Sequence, residues 1–169
     1  MSEETAIAEP QTTGHDDPSA AAWSAVRASF ETVSESMELA LAKAELPPLA
    51  WYDVLVAVAA KPAPVRPKDM LCQVSVTKSG LTRLLDRIEK AGLVERTYCP
   101  SDRRGTFIGI TPKGVETLAE MKPVREGAFQ RHFGENLSAE EAEMISVALG
   151  SVAASAVNEL EDSGDCEVE

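Results

Sequence analysis

The stretch that most constrains the fold of this chain is residues 77–91, whose pattern predicts one amphipathic helix with two chemically different faces. Thr77 is placed to cap the first turn, and Gly92 can take the left-handed conformation that ends a helix. The apolar residues follow the i, i+3, i+4, i+7 spacing of a buried stripe, namely Leu81, Leu84, Leu85 and Ile88. One face is therefore expected to pack, and the other is free to meet a partner.

The opposite face carries hydroxyl and basic side chains, which are the groups that a recognition helix presents to base edges and phosphates in the major groove. On this helix and just before it, the expected DNA contacts are Ser75, Thr77, Lys78, Ser79, Thr82, Arg83 and Arg87. Many globular domains also contain an amphipathic helix with a polar outer face. The helix alone therefore does not decide the function.

Two strand patterns and a charged segment follow the helix. Residues 93–98 alternate as a half-buried strand does, and residues 106–110 can pair with them. Residues 99–105 are too polar to be buried and are predicted to form the loop of a hairpin. Arginines there can reach phosphates or the minor groove, with a carboxylate orienting one of them. The expected contacts are Asp102, Arg103, Arg104 and Gly105, and a solvated surface loop is the alternative.

The order of helix, turn, capped helix and hairpin predicts a winged helix-turn-helix over residues 47–113. The net charge of −12 does not exclude DNA binding, because residues 65–113 carry 10 basic and 5 acidic side chains while the acidic excess lies elsewhere. Phosphate contact is local, within a Debye length of about 8 Å at physiological salt. The predicted fold class is mainly α with a small β-hairpin wing (α+β), flanked by N- and C-terminal dimerisation helices.

Those flanking helices carry heptad-like apolar seams. Residues 17–46 are predicted to form one helix, capped by Asp17 with Pro18 at its first position, after a disordered acidic tail over residues 1–16. Residues 114–161 supply the C-terminal linker and dimerisation helices, followed by an acidic tail at 162–169. The expected dimerisation residues are Trp23, Val26, Phe30, Val33, Ile145, Leu149 and Val152. Packing of these helices within one chain is the alternative.

The last helices also have clear local signals. Thr111 and Pro112 are expected to start a long helix, and Pro123 is expected to kink it. Residues 138–141 form a capping box at the start of the final helix.

The run GLTRLLDRIEKAGLVER (80–96), followed by CPSDRRGTFIGITPKG (99–114), resembles the MarR family of bacterial transcription regulators. The resemblance extends over about residues 48–133, roughly half the chain. It implies a homodimer that binds a pseudo-palindromic double-stranded DNA operator. It also implies that a small aromatic or phenolic effector, or an oxidant, releases the DNA.

In that family, effectors bind between the dimer helices and the winged helix-turn-helix. The resemblance therefore suggests a ligand site lined by Trp23, Phe30, Trp51, Tyr52, Asp53 and His132. Aromatic walls with an acid and an imidazole would suit a small planar polar molecule. Aromatic residues at helical spacing are more often part of a core, which is the alternative for each of them.

Other function classes have weaker support. Cys99 lies beside Arg103 and Arg104, which would lower its pKa, so a redox-responsive regulator stays open. His15 and His132 have no ligand-spaced partner, so neither a metal nor a cofactor is expected. No glycine loop, nucleophile elbow or triad indicates an enzyme. A winged helix that binds only protein remains the main alternative. No membrane span or signal peptide is indicated, so a cytoplasmic protein is expected.

Overall fold

Five α-helices and one β-hairpin make up the part of the chain that the structure describes. The computed structural model describes residues 17–71, 74, 77–99 and 102–162, without the side chains of residues 78, 98–99, 102–105 and 158–162. The predicted fold class, mainly helical with a β-hairpin wing, is confirmed. In chain order the elements are α1 (Pro18–Lys43), α2 (Leu49–Ala59), a 3₁₀-helix (Pro67–Met70), α3 (Lys78–Lys90), β1 (Val94–Cys99), β2 (Asp102–Ile110), α4 (Pro112–His132), a second 3₁₀-helix (Gly134–Asn136) and α5 (Ala139–Asp162).

The chain divides into two compact units, Met1–Thr32 and Val33–Glu169. In the first unit, Asp17 Oδ1 accepts a hydrogen bond from the backbone N–H of Ser19 at 2.9 Å, which confirms the predicted cap of α1. Trp23 and Phe30 of this unit are 66% and 65% exposed. The first unit therefore carries large apolar side chains that are exposed to solvent. The segment boundaries predicted at residues 46 and 113 stay predictions.

The second unit begins with the end of α1, which stops in a left-handed turn. Glu45 has φ +58°, a conformation that favours glycine. The N–H of Leu46 donates to the carbonyl of Leu41 at 3.0 Å, and the N–H of Glu45 donates to that of Ala42 at 3.1 Å. These two bonds are the Schellman motif, which satisfies the last carbonyls of the helix. The chain then turns directly into α2.

The core of this unit lies between α2, α3, the hairpin and α4. Leu55 of α2, Ile108 of β2 and Met121 of α4 are completely buried. The stripe predicted for α3 is confirmed, because its four members are at most 8% exposed: Leu81, Leu84, Leu85 and Ile88. Burying each such side chain stabilises the fold by roughly 1.5–3 kcal/mol. This packing fixes the direction in which the polar face of α3 points.

The hairpin is longer than predicted, and the prediction of a loop over residues 99–105 was wrong for residue 99 and for residues 102–105, while residues 100–101 lie outside the described residues. β1 continues to Cys99, and β2 already begins at Asp102. The antiparallel register runs regularly from Val94 opposite Ile110 to Tyr98 opposite Thr106, then shifts so that Cys99 pairs with Asp102. Polar side chains do not prevent backbone pairing in a ribbon that is solvated on its faces. The shift leaves residues 103–105 as a bulge in β2.

The caps of the last two long helices are as predicted. Thr111 Oγ1 accepts from the N–H of Gly114 at 3.0 Å at the start of α4, and α4 continues through Pro123. At α5, Ser138 Oγ accepts from the N–H of Glu141 at 3.3 Å, while Glu141 Oε2 accepts from the N–H of Ser138 at 2.8 Å. This capping box holds the pKa of Glu141 below its usual value. Among the described residues, no helix has the length and apolar character needed to cross a membrane.

Candidate nucleic-acid interface

The start of α3 is built around the predicted cap. Thr77 Oγ1 accepts from the N–H of Gly80 at 3.2 Å and lies 3.3 Å from the hydroxyl of Ser79. Thr77, Ser79, Thr82 and Arg83 are all exposed, on the side of α3 opposite its buried stripe. Four of the predicted contacts therefore share one accessible face. Ser75 and the side chain of Lys78 lie outside what the structure describes.

Arg87 differs from the other predicted contacts, because it lies against α2. Its guanidinium carbon is 6.0 Å from the centre of the Trp51 ring, within the range of a cation–π contact. Its position on α3 is also closer to the buried stripe than that of Arg83. Arg87 therefore joins α3 to α2, and its DNA contact stays a prediction.

The other end of α3 is joined to the start of α4. Thr111 Oγ1 donates to the carbonyl of Gly92 at 2.7 Å, and Lys113 Nζ donates to the carbonyl of Ala91 at 2.8 Å. Both acceptors belong to the turn in which α3 ends, where a cation is favourable. Gly114 is buried in the same place: a Cβ there would lie 2.0 Å from the carbonyl oxygen of Leu93. We call the contact between residues 91–93 and 111–114 the α3–α4 junction.

The hairpin is joined to α3 by an arginine. Arg96 of β1 donates through one terminal nitrogen to Asp86 Oδ1 at 2.6 Å and through the other to Glu89 Oε2 at 2.8 Å. Both carboxylates belong to α3. A single guanidinium therefore connects α3 to the first strand of the hairpin.

A short extended segment adds to the other edge of the hairpin. Val65 and Ile108 exchange two backbone hydrogen bonds, of 2.9 and 2.8 Å. The guanidinium of the next residue, Arg66, lies 5.3 Å from the centre of the Phe107 ring. These contacts hold the base of the wing on both sides. The side chains of the predicted wing contacts lie outside what the structure describes: Asp102, Arg103, Arg104 and Gly105. The side chain of Cys99 lies outside it as well.

Three members of the predicted ligand set, Trp51, Tyr52 and Asp53, are partly buried on α2 in the second unit. Burial raises the pKa of the Asp53 carboxyl above its usual 3.8, and the charge of Arg125 offsets part of that rise. The Arg125 guanidinium carbon lies 5.7 Å from the centre of the Tyr52 ring and 5.1 Å from that of Phe129. The indole N–H of Trp51 and the Nε–H of Arg125 are buried without a described hydrogen-bond partner.

The other members of that set are His132, Trp23 and Phe30. His132 is exposed near the end of α4, while Trp23 and Phe30 belong to the first unit. The predicted ligand site as a whole therefore stays a prediction. Arg125 and Phe129 were missed, although a lone acid on an apolar helix such as α2 signals that a counter-charge lies elsewhere in the chain.

The predicted dimerisation residues are accessible to different degrees. Ile145, Leu149 and Val152 of α5 are 37%, 40% and 61% exposed. Val26 and Val33 of α1 are partly buried. Within the described residues, no group of three or more histidine, cysteine or acidic side chains is arranged to hold a metal ion.

Comparisons with known proteins agree with this geometry. A family model described as the MarR family matches residues 46–105. The transcriptional regulator HosA of Escherichia coli O111:H- is 36% identical over 103 residues, which cover 60% of this chain and 75% of that protein. AbsC, a MarR family transcriptional regulator from Streptomyces coelicolor, has a TM-score of 0.77 at 28% identity over 87% of this chain and 99% of its own.

A second MarR family regulator from Streptomyces coelicolor was solved in complex with DNA. Its TM-score to this chain is 0.74 at 26% identity, and the match covers 82% of this chain and 91% of that one. The matched family model includes α2, α3, β1 and the first residues of β2, which are the elements of the interface described above. The chain therefore belongs to the MarR family of transcriptional regulators.

Proposed function

We propose that this protein is a homodimeric repressor that binds a pseudo-palindromic double-stranded DNA operator. Helix α3 enters the major groove, and the wing contacts phosphates or the minor groove. The observation that carries the proposal is the accessible face of α3: Ser79, Thr82 and Arg83 are exposed while the opposite stripe is buried. Hydroxyl and guanidinium groups are among those that discriminate base edges.

Binding would be tested by fluorescence anisotropy with DNA from the protein's own promoter region and with scrambled DNA, over a range of salt concentrations. Preference for the promoter together with a steep salt dependence is expected. Arg83→Met should weaken specific binding by on the order of tenfold or more, because an arginine contact to a base edge contributes about 1–3 kcal/mol. Arg131→Met, at an exposed position near the end of α4, is the charge-matched control. Equal binding of promoter and scrambled DNA by the folded protein would contradict the proposal.

Dimer formation is supported by the character of α5. Residues 144–157 contain no charged side chain, and Met144 and Val147 are 64% and 70% exposed. A helix that is apolar around its circumference normally lies in a protein interior. In a two-fold dimer the two recognition helices would lie about 34–36 Å apart, one turn of DNA. In sedimentation experiments we expect the wild type to be a dimer and Val152→Glu to be a monomer. A monomeric wild type would contradict the proposed dimer.

Release by a small aromatic or phenolic effector is supported by the cluster around Arg125. Tyr52 and Phe129 offer aromatic faces, and the buried N–H groups of Trp51 and Arg125 lack a described acceptor. Addition of phenols and aromatic carboxylates to the protein–DNA complex is expected to lower its anisotropy. Arg125→Met should abolish that response while Arg131→Met retains it. A response that survives in Arg125→Met would place the effector elsewhere.

A further inference from the structure

The acidic side chains of α3 are the feature from which a further role follows. The helix Lys78–Lys90 contains two acids, Asp86 and Glu89, three residues apart on one edge of its polar face. In a helix that approaches DNA phosphates, each is unfavourable, because like charges repel within a Debye length of about 8 Å at physiological salt. The side chains that pair with these two carboxylates therefore affect DNA binding.

Arg96 contacts both of them at once. Its two terminal nitrogens bond separate carboxylates at 2.6 and 2.8 Å. The Arg96 side chain is 24% exposed, whereas those of Asp86 and Glu89 are 56% and 36% exposed. The planar guanidinium is suited to such a double contact, which an ammonium group makes less well. The cation is thus more shielded from water than the acids that it pairs with.

We propose that Arg96 is a positioning residue for DNA binding, which pairs with both carboxylates of α3, offsets one of their two negative charges and holds the first strand of the wing against that helix. The inference rests on the proposed DNA-binding function. With Arg96 in place, the acids of α3 are bonded and half of their negative charge is offset, so the lysine and arginine side chains of the helix dominate the local charge. Without it, two unpaired carboxylates would lie on the helix that approaches the phosphates.

Anisotropy measurements on five proteins test the electrostatic part: wild type, the control Arg131→Met, Arg96→Met, Arg96→Lys, and the triple variant Arg96→Met/Asp86→Asn/Glu89→Gln. Arg96→Met should weaken promoter binding by about tenfold, because uncompensated like charge at an interface is costly. The triple variant should regain at least half of that loss on a logarithmic scale. Arg96→Lys, which keeps the charge and loses the double contact, should lie between wild type and Arg96→Met.

Two results would overturn the electrostatic part. One is an Arg96→Met protein that binds as tightly as Arg131→Met. The other is a triple variant as weak as Arg96→Met, which would mean that the loss does not act through the carboxylates. Circular dichroism of all variants checks that the fold is retained, and recovery in the triple variant could not arise from simple destabilisation.

The part of the proposal in which Arg96 holds the hairpin against α3 is tested in the absence of DNA. Amide hydrogen exchange in β1 and β2 should be faster in Arg96→Met than in wild type, with exchange in α5 unchanged. Equal exchange of the hairpin in both proteins would refute the link. If the wild type binds no DNA at all, the proposed function fails, and the exchange experiment still decides whether Arg96 holds the wing.

Discussion

Replacing Gly114 by alanine should destabilise the protein by disrupting the α3–α4 junction. A Cβ at this position would lie 2.0 Å from the carbonyl oxygen of Leu93 and 2.8 Å from Ile110 Cγ1. Cβ atoms in proteins essentially never approach another heavy atom closer than 3.0 Å, so the backbone must move by about 1 Å. The nearest atom is a backbone oxygen, which cannot rotate away as a flexible side chain can.

The size of the effect follows from the bonds around the glycine. Any movement strains the hydrogen bond from the N–H of Thr111 to Leu93 O, 3.1 Å long, or the bonds from Thr111 and Lys113 to residues 91–92. Overpacking costs about 1–3 kcal/mol, and a lost hydrogen bond about 1 kcal/mol. A loss of about 3 kcal/mol is expected, which lowers Tm by about 6–12 °C for a chain of this size.

The assay is thermal unfolding followed by circular dichroism at one fixed protein concentration, because Tm of an oligomer depends on concentration. Gly127→Ala is the matched control on the same helix, since a Cβ at Gly127 would meet nothing within 4 Å. That substitution should stabilise the protein by about 0.5–1 kcal/mol, the helix preference of alanine over glycine. A Gly114→Ala protein that melts within about 1 °C of wild type would refute the reasoning.

Three further predictions concern single side chains. Glu45→Gly should raise Tm, because Glu45 has φ +58° and glycine adopts this conformation without strain. Relief of the strain contributes about 1–2 kcal/mol, which exceeds the cost of the added conformational entropy of glycine in the unfolded chain. An unchanged or lower Tm in thermal unfolding would contradict this. Asp53→Asn should raise Tm at pH 7 and leave it unchanged near pH 3. The reason is that a folded pKa above the usual 3.8 gives a contribution to stability that is full below 3.8 and is lost as pH rises through the folded pKa; an equal gain at both pH values would argue against burial as the cause. Ser138→Ala should move the pKa of Glu141 part of the way up towards its usual 4.5, measured by NMR titration, because the substitution removes the hydroxyl but keeps the backbone N–H of residue 138, whose hydrogen bond lowers that pKa most; an unmoved titration would mean that the hydroxyl does not contribute.

Local signals were enough to predict the helix starts and the buried stripe of α3. Asp17, Thr77, Thr111 and Ser138 each cap the helix that follows, because a cap depends on residues only two or three positions away. The stripe of α3 followed from helical periodicity alone. The extent of the hairpin could not be predicted from local signals, because backbone pairing near residue 99 depends on the register with the partner strand rather than on side-chain polarity.

Contacts between distant parts of the chain were also missed. Arg125 contacts Tyr52 from a helix 73 residues further along, and Lys113 bonds the carbonyl of Ala91 across the whole hairpin. Their partners depend on how α4 packs against α2 and α3, which no short pattern encodes. In the ITPKG run, residues 110–114, local signals predict only the helix start at Thr111 and Pro112, while Lys113 and Gly114 enter only through the family resemblance. The α3–α4 junction gives it a physical reason, since its threonine, lysine and glycine each have a separate contact there.

The α3–α4 junction also has a mechanical consequence. It fixes the C-terminal end of α3, while the opposite end, at Thr77, carries the proposed reading face. A helix of 13 residues is about 20 Å long. A tilt of about 10° around the junction would therefore swing the Thr77 end by about 3.4 Å, which is the rise of one base along a DNA strand. A small rotation of α4 would thus be amplified into a displacement of about one base pair at the Thr77 end of α3.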